Sequence, residues 1–420
     1  MRQAVAGTAV RRVVTTSAAE FARGSDLHLR LGDGSTPSSD AVDLRAYCEP
    51  FMSSPRAARS HPDPGSPAMI AYTSGTTGTQ KGAVNSHANV AFASQVYRDF
   101  LGLLPTEPVM GAAPLSHMTG LVGHIGLAVA SAAPLVLMYR FSADDCLTLL
   151  QRHRCGFMVG AMTMYVALAE HPDIAHADLG ALKAYSGGAP VSPDFVDRFE
   201  QVTGCYIHNC FGMTETTAPA VLTPVGARAP VDPTSGALSI GVPVPDTIVT
   251  VHDDEGRPVA PNVAGELYFS GPQVVSGYWQ NEAATQVTFS ADAQLRSGDI
   301  GFVDEAGWVY LIDRKKDQIN TAGFKVWPRE VEDVLYKSPY VAEAVVFGVP
   351  DEYRGESVAA FVTLVNEPTP PADMNQELTD LCREHLAPYK CPRQIRFVDE
   401  IPKTPTGKLS RHQMRQTTVE

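Results

Sequence analysis

Residues 72–82 read YTSGTTGTQKG, and this stretch decides what the chain around it must build. Its glycines let backbone N–H groups turn inward, its hydroxyls add donors, and Lys81 adds a positive charge. A strand at residues 69–72 runs into it, and a helical pattern follows from about Asn89, which is the layout of an anion-binding turn. The spacing does not fit the Walker pattern G-x-x-x-x-G-K-[ST]. The stretch therefore predicts a polyphosphate site of another class, in preference to a flexible linker.

Composition narrows the class of protein. The chain has 420 residues, 44% of them apolar and 19% charged, which is typical of a globular protein with two or three domains. A net charge of −13 argues against non-specific nucleic-acid binding. Seven cysteines without a C-x-x-C pair predict free thiols in a reducing compartment, and no Cys/His cluster has zinc spacing. The most apolar run, 120–138, barely reaches spanning length, so we expect a cytoplasmic protein without a transmembrane segment.

Strand and helix patterns alternate from the loop to about residue 225. This alternation predicts a mostly parallel sheet in an α/β domain. The predicted strands are 109–113, 135–138, 157–159 and 182–186, and the predicted helices are 144–153 and 193–203.

The remainder of the chain changes character twice. Residues 236–312 contain short β runs separated by Gly, Pro and Asp turns, which predicts a small antiparallel sheet or barrel. A compact α+β module follows residue 313, beginning with a helix at Pro328 whose Val331, Val334 and Leu335 share one face. Its further predicted elements are strands at 341–349 and 358–365 and a helix at 376–386.

The stretch TSGTTGTQKG resembles the phosphate loop of the adenylate-forming superfamily, which contains acyl-CoA synthetases, luciferases and peptide-synthetase adenylation domains. The family's other motifs have counterparts here in the same order, so the resemblance covers about residues 68–412. These counterparts are SGGAP at 186–190, NCFGMTET at 209–216, RSGDIG at 296–301 with DRKKD at 313–317, GFKVWPREVE at 323–332, and IPKTPTGK at 401–408.

The resemblance implies a domain organisation. Residues 1–313 would form the large α/β domain, with residues 236–312 as a β-barrel-like subdomain, and residues 314–420 would form a small, mobile α+β domain. Lys316 matches the hinge between the two domains. The family normally carries a further stretch before the phosphate loop, so the large domain looks shortened at its N-terminus. A misassigned start, a gene fragment and a trimmed fold are the alternatives.

The resemblance also assigns the phosphate and metal ligands. Glu215 would contact Mg²⁺, a hard cation that prefers oxygen ligands, and Thr214 the α-phosphate. Lys408 would be the catalytic lysine, which offsets charge at the α-phosphate. The β- and γ-phosphates would be held by Thr73, Ser74, Gly75, Thr76, Thr77, Gly78 and Lys81.

The nucleoside and acyl ends follow in the same way. Asp299 would accept both ribose hydroxyls and Arg314 would reach the ribose, while Gly323 would lie beside the pantetheine tunnel and His117 would gate the acyl pocket. Phe211 stands where the family usually has tyrosine, so a contact made by that hydroxyl is missing. The adenine would be surrounded by Gly188, Ala189, Pro190, Asn209, Phe211 and Gly212.

The implied activity is that of an acid–thiol ligase, an AMP-forming acyl-CoA synthetase that uses ATP, Mg²⁺ and CoA. The stretch 113–120 lacks the aspartate that holds an α-amino group in peptide-synthetase domains, and no carrier domain follows Lys408. We expect a medium- or long-chain fatty acid as substrate, with an aromatic or short branched acid next. A catalytically degenerate nucleotide-binding paralogue and a luciferase-like oxygenase are the other classes, and a homo-oligomer is left open.

Overall fold

The computed structural model describes residues 14–15, 42–52, 61–73, 80–187, 192–234, 236–365, 369–403 and 409–419. The chain forms two compact units, Met1–Pro62 and Asp63–Glu420. In the first unit, strands β1 (Val14–Thr15) and β2 (Val42–Asp43) pair in parallel. A helix at Leu44–Cys48 and a 3₁₀ turn at Glu49–Phe51 follow. Everything below concerns the second unit.

The phosphate-loop sequence connects two antiparallel strands, β3 (Pro67–Tyr72) and β4 (Gly82–Ser86). The expected layout, a strand leading through the loop into a helix, is therefore wrong in one respect. The helix His87–Leu101 begins only after β4, where Ser86 and Asn89 form a capping box. The loop sequence is therefore followed by a strand and not directly by a helix.

The central sheet has the strand order β11-β10-β9-β8-β7-β5-β6. Strands β5 to β9 pair in parallel, while β10 pairs antiparallel with β9 and β11, which confirms the mostly parallel sheet. The strands are β5 (Val109–Gly111), β6 (Leu135–Leu137), β7 (Phe157–Gly160), β8 (Lys183–Gly187), β9 (Ile207–Met213), β10 (Ala218–Leu222) and β11 (Val242–Pro243).

Helices connect these strands, as the alternating pattern predicts. The apolar run 120–138 is divided among short helical pieces and β6, and none of the helices in the described residues is long and apolar enough to cross a membrane. The connecting α-helices are Met118–Gly120, Leu127–Ser131, Ala143–His153, Met162–Ala169 and Pro193–Thr203, with a π-helical segment at Leu121–Gly126 and 3₁₀ turns at Ile174–His176 and Thr214–Thr216.

The core of this region is aromatic at its centre. Phe157 on β7 lies between Tyr97 of the helix His87–Leu101 and Tyr185 of β8, with ring centroids 6.1 and 5.9 Å away. All three side chains are essentially inaccessible to solvent. This packing fixes the helix that follows the phosphate-loop hairpin against the sheet.

Residues 248–314 form an antiparallel sheet in the order β12-β13-β14-β15. Its buried Leu267, Phe269 and Val309 pack with Ala220 and Val221 of β10, so this sheet shares a core with the central one. The strands are β12 (Ile248–His252), β13 (Gly265–Ser270), β14 (Leu295–Val303) and β15 (Val309–Arg314), with a helix at Glu282–Thr288 between β13 and β14.

The C-terminal region forms a further sheet, ordered β17-β16-β19-β18 with β20 beside β19. Val331, Val334 and Leu335 are buried on one face of the helix Pro328–Leu335, as their spacing predicts. The strands are β16 (Ile319–Thr321), β17 (Phe324–Val326), β18 (Val341–Asp351), β19 (Gly355–Leu364) and β20 (Gln394–Phe397), and the remaining helical elements are a 3₁₀ turn at Lys315–Asp317 and helices at Met374–His385 and Arg411–Val419.

Candidate active site

The base of the phosphate loop is closed by two hydrogen bonds. The Thr73 backbone N–H donates to the Lys81 carbonyl at 2.9 Å, and the Lys81 N–H donates to Thr73 Oγ1 at 3.3 Å. These bonds continue the β3–β4 pairing and bring the two ends of the loop together. The other predicted phosphate ligands lie outside the described residues; they are Ser74, Gly75, Thr76, Thr77 and Gly78.

Lys81 and Glu215 both contact the same aromatic side chain, Tyr278. The Tyr278 hydroxyl donates to Glu215 Oε1 at 2.6 Å, and Lys81 Nζ lies 5.0 Å from the centroid of its ring. Glu215 is 7% exposed, so its carboxylate is a buried charge beside the loop. Burial and the Glu215 carboxylate raise the pKa of Tyr278, which keeps its hydroxyl protonated.

The turn that carries Thr214 and Glu215 is held under backbone strain. Thr217 and Ala218 have φ values of 50° and 87°, which are unfavourable for residues with a Cβ. Asn85 on β4 donates to the Thr214 carbonyl at 3.2 Å and to Thr217 Oγ1 at 2.8 Å. Buried hydrogen bonds of this kind hold a strained turn in place, and strain of this kind concentrates at functional sites.

The predicted adenine contacts lie on β9, next to this turn. Phe211 stacks on Phe269 with centroids 5.6 Å apart, while the Asn209 side chain is buried and donates to the Ser239 carbonyl at 2.7 Å. At Gly212 an added Cβ would meet the Ala218 carbonyl oxygen at 2.3 Å, so only glycine fits there. The predicted residues Gly188, Ala189 and Pro190 lie outside the described residues.

The predicted ribose residues form an ion pair across two strands. Asp299 on β14 faces Arg314 on β15, and Arg314 Nε lies 3.2 Å from Asp299 Oδ1. The Asp299 side chain is 2% exposed, whereas that of Arg314 is 46% exposed. The pair therefore places a buried acceptor below a guanidinium that reaches towards solvent.

Lys316 lines a cavity beside the predicted ribose residues. A cavity of about 370 Å³ is lined by Ser297, Gly298 and the basic run 314–316. Desolvation of its ammonium and the neighbouring Arg314 lower the pKa of Lys316; Lys81 lowers it further, and Asp299 opposes the shift.

Two predicted residues have local roles in the structure. His117 Nδ1 accepts from the Thr119 N–H at 3.2 Å and caps the helix Met118–Gly120. Gly323 lies in the turn between β16 and β17 with φ 87°, a conformation that favours glycine.

Lys408 lies outside the described residues, but the chain on both sides of it is placed. Lys403 and Leu409 form an antiparallel bridge. Arg411 follows, with ion-pair distances of 2.6 Å to Glu332, 3.2 Å to Asp317 and 3.4 Å to Asp313. We call Arg411, Asp313, Asp317 and Glu332 the hinge cluster, because Asp313 and Asp317 flank the predicted hinge residue Lys316.

Tyr278 is a residue that the sequence reasoning missed. It lies in the stretch Ser276-Gly-Tyr-Trp279, and a tyrosine after a glycine carries no pattern that separates it from an ordinary core residue. Only its contacts with Lys81 and Glu215, 197 and 63 positions earlier in the chain, mark it.

Comparison with known proteins assigns this chain to a family. The model of the AMP-binding enzyme family matches residues 3–279, and that of the AMP-binding enzyme C-terminal domain matches residues 330–408. The chain belongs to the AMP-binding enzyme family. This confirms the resemblance and the mixed α/β fold class, while the roles of individual residues stay predictions.

Several members of the family resemble this chain over most of its length. It is 35% identical to a long-chain-fatty-acid–CoA ligase of Bacillus subtilis over 84% of the chain, which spans 62% of that relative's length. It is 36% identical to a feruloyl-CoA synthase of Amycolatopsis over 83% of the chain and 69% of that relative. O-succinylbenzoate coenzyme A synthetase from Bacillus subtilis, solved with ATP and magnesium ion, superposes with a TM-score of 0.75 at 29% identity, over 89% of this chain and 75% of the other.

Proposed function

We propose that this protein is an AMP-forming acid–CoA ligase, an acid–thiol ligase that activates a carboxylic acid as acyl-AMP and transfers the acyl group to CoA. The observation that carries the proposal is the presence of two groups of charged side chains. Lys81 and Glu215 lie at the base of the phosphate loop, where both contact Tyr278, and the Asp299–Arg314 pair lies at a cavity that Arg314 and Lys316 line. A nucleoside polyphosphate would place its phosphates at Lys81 and Glu215 and its ribose at Asp299 and Arg314.

The residues present fit ATP with Mg²⁺. Among the described residues no group of three or more metal-binding side chains occurs. Mg²⁺ is usually bound by one or two carboxylates together with substrate phosphates, and the buried Glu215 would supply such a carboxylate. When bound there, the cation would offset charge that develops around the α-phosphate.

The protein residues contribute position and charge. Asp299 would accept the ribose hydroxyls and Arg314 would contact the same sugar, which fixes the nucleoside. Lys81 and the loop donors would hold the β- and γ-phosphates, and Thr214 the α-phosphate. Lys408 would stabilise the negative charge of the transition state. Phe211, held by its stacking on Phe269, would offer an apolar surface to the adenine.

The same proposal includes a division of the chain. Residues 1–313 form the large domain and residues 314–420 the small one, which turns about Lys316 and brings Gly323 to the site for the thiol step. The family-model boundary at residue 330 supports a separate C-terminal unit. We also propose the cytoplasm as the compartment, because all seven cysteines are free thiols.

A medium- or long-chain fatty acid is our first choice of substrate, supported by the fatty-acid–CoA ligase relative. An aromatic acid is the second, because the feruloyl-CoA synthase is equally similar. The third reading is a paralogue that binds nucleotide without turnover.

One experiment separates these readings. Pyrophosphate release is measured with ATP, Mg²⁺ and a panel of fatty, aromatic and short branched acids, with and without CoA. We expect release with one class of acid and an acyl-CoA product only when CoA is present. ATP binding without release for any acid would overturn the ligase proposal and favour the non-catalytic paralogue.

A further inference from the structure

Residues 273–279, which we call the strap, connect the two halves of the phosphate site. On one side the strap is bonded to the turn that carries Glu215. The Val275 N–H donates to the Glu215 carbonyl at 2.9 Å, and Thr217 Oγ1 donates to the Gln273 carbonyl at 2.8 Å. The turn that carries Glu215 is therefore hydrogen-bonded to the strap.

On the other side the strap is bonded to the strand that leaves the phosphate loop. The Trp279 N–H donates to the Gly82 carbonyl at 2.7 Å, and the Val84 N–H donates to the Gly277 carbonyl at 3.0 Å. Gly82 directly follows Lys81, so these bonds fix the backbone at the exit of the loop. The strap joins two segments that are more than a hundred positions apart in the chain.

Tyr278, next to the last residue of the strap, contacts a charged side chain on each side. Its hydroxyl donates to Glu215 Oε1 at 2.6 Å, and Lys81 Nζ lies 5.0 Å from its ring centroid. A carboxylate that accepts a bond from a fixed donor loses rotational freedom, and a partner of this kind orients a metal ligand. An ammonium over an aromatic ring is attracted to the face of the ring.

We propose that Tyr278 is a positioning residue, which aims the Glu215 carboxylate at a divalent cation through its hydroxyl and holds the Lys81 ammonium at the phosphates through its ring. The inference rests on the proposed function for the identity of the nucleotide. It assigns the two parts of one side chain to two different ligands, and these parts can be removed separately.

The test is isothermal titration of the full chain with ATP, once with MgCl₂ and once with EDTA. Tyr278→Phe removes the hydroxyl and keeps the ring. We expect ATP affinity with Mg²⁺ to fall about tenfold, as for other partners of metal ligands, and affinity in EDTA to be unchanged. Tyr278→Leu also removes the ring, and we expect affinity in EDTA to fall about threefold as Lys81 loses its support.

Tyr310→Phe is the matched control. Tyr310 is buried in the antiparallel sheet β12–β15 and its hydroxyl donates to Asp304 Oδ2 at 3.3 Å, so the variant also loses a hydrogen bond from a buried tyrosine to a carboxylate. We expect it to leave both ATP affinities unchanged. If Tyr278 had only a structural role, Tyr278→Phe would lose thermal stability as the control does, and the Mg²⁺ dependence of its ATP binding would equal that of the wild type.

The outcomes separate this inference from the proposed function. Equal weakening of ATP binding with and without Mg²⁺ in Tyr278→Phe would overturn the positioning role, as would wild-type binding that does not respond to Mg²⁺. Wild-type protein that binds ATP with Mg²⁺ but releases no pyrophosphate with any acid would remove the ligase activity. In that case the Tyr278 variants still decide the positioning role by binding alone.

Discussion

Buried charges are arranged differently at Lys81 and Glu215, the predicted phosphate side of the site, and in the hinge cluster. In the described part of the chain Lys81 and Glu215 form no ion pair with each other, and each instead contacts Tyr278. In the hinge cluster the Arg411 guanidinium is surrounded by the carboxylates of Asp313, Asp317 and Glu332.

The difference fits the roles proposed for these charges, ligand binding for one region and stability for the other. A cation and an anion held apart by a neutral side chain remain available to a phosphate and a metal ion. Charges that are paired with each other attract a charged ligand only weakly. Their ion pairs instead connect the helices and strands that carry them. Asp313 lies in β15 while Glu332 lies in the helix Pro328–Leu335, so Arg411 links the two sides of the predicted hinge.

The largest effect is expected from Lys408→Ala. We propose that Lys408 stabilises the transition state, so its removal should lower the rate of acyl-AMP formation about a thousandfold. The transfer of a supplied acyl-AMP to CoA should be largely spared, because it does not involve the leaving pyrophosphate. Rapid-quench assays of each half-reaction measure both. Lys403→Ala, which removes a lysine paired with Glu343 in the same segment, is the control. Equal loss of both half-reactions would contradict the role of Lys408.

Breaking the hinge cluster should cost stability. Arg411→Met leaves carboxylates that are at most 18% exposed without their cation, and we expect the free energy of unfolding to fall by about 3 to 5 kcal/mol in urea titrations. Arg228→Met is the matched control, because Arg228 pairs with Asp197 and Glu200 on the surface. That variant should lose less than about 1 kcal/mol. Similar losses in the two variants would show that the hinge cluster is not a stabilising network.

The stability of the protein should depend on pH through the buried side chain of His124. His124 is fully buried, and desolvation lowers its pKa to about 4 from 6.5 even though its Nε2–H donates to the Val159 carbonyl. The unfolded chain therefore binds a proton between pH 6.5 and 4 that the folded chain does not. Stability is full above pH 6.5, and it should fall by about 3 kcal/mol as the pH approaches 4.

Urea titrations across this pH range measure the effect. His124→Gln removes the titrating group and keeps a donor for the Val159 carbonyl, so its stability should depend less steeply on pH. The same slope in the variant and the wild type would assign the pH dependence to other groups.

The smallest effect is expected at the ribose pair. Asp299→Ala removes a buried acceptor, and we expect ATP affinity to fall about tenfold, because the ribose hydroxyls lose their charged acceptor. Isothermal titration measures the affinity, with Asp292→Ala, at an exposed turn position, as control. Unchanged affinity in Asp299→Ala would remove Asp299 from the ribose site.

Local signals predicted much of the fold. The helix Pro193–Thr203 was predicted at both ends, because Pro193 opens it and Gly204 closes it with φ 70°. Strand β12 (Ile248–His252) lies in the stretch 236–312, where the sequence predicts short β runs between turn residues. Strand β4 was missed. Its residues, Gly82 to Ser86, become a strand through pairing with β3 and through bonds to the distant strap.

The candidate site divides in the same way. Motif order predicted Lys81, Glu215, Asp299 and Arg314 as members of one site, and the structure brings Asp299 and Arg314 together on paired strands. The hydrogen bond between Asn209 and Ser239 was not predicted, because a motif names a residue without showing where its side chain points.

The sequence by itself determined the family, the mixed α/β class and the positions of most helices and strands, because motifs, periodicity and turn residues are local properties of the chain. Only the tertiary structure decided that Tyr278 separates Lys81 from Glu215 and that Arg411 gathers its carboxylates. Glu215 and Tyr278 are 63 positions apart in the chain, and Asp313 and Arg411 are 98 positions apart. Such contacts depend on how sheets and helices pack, and no local pattern encodes them.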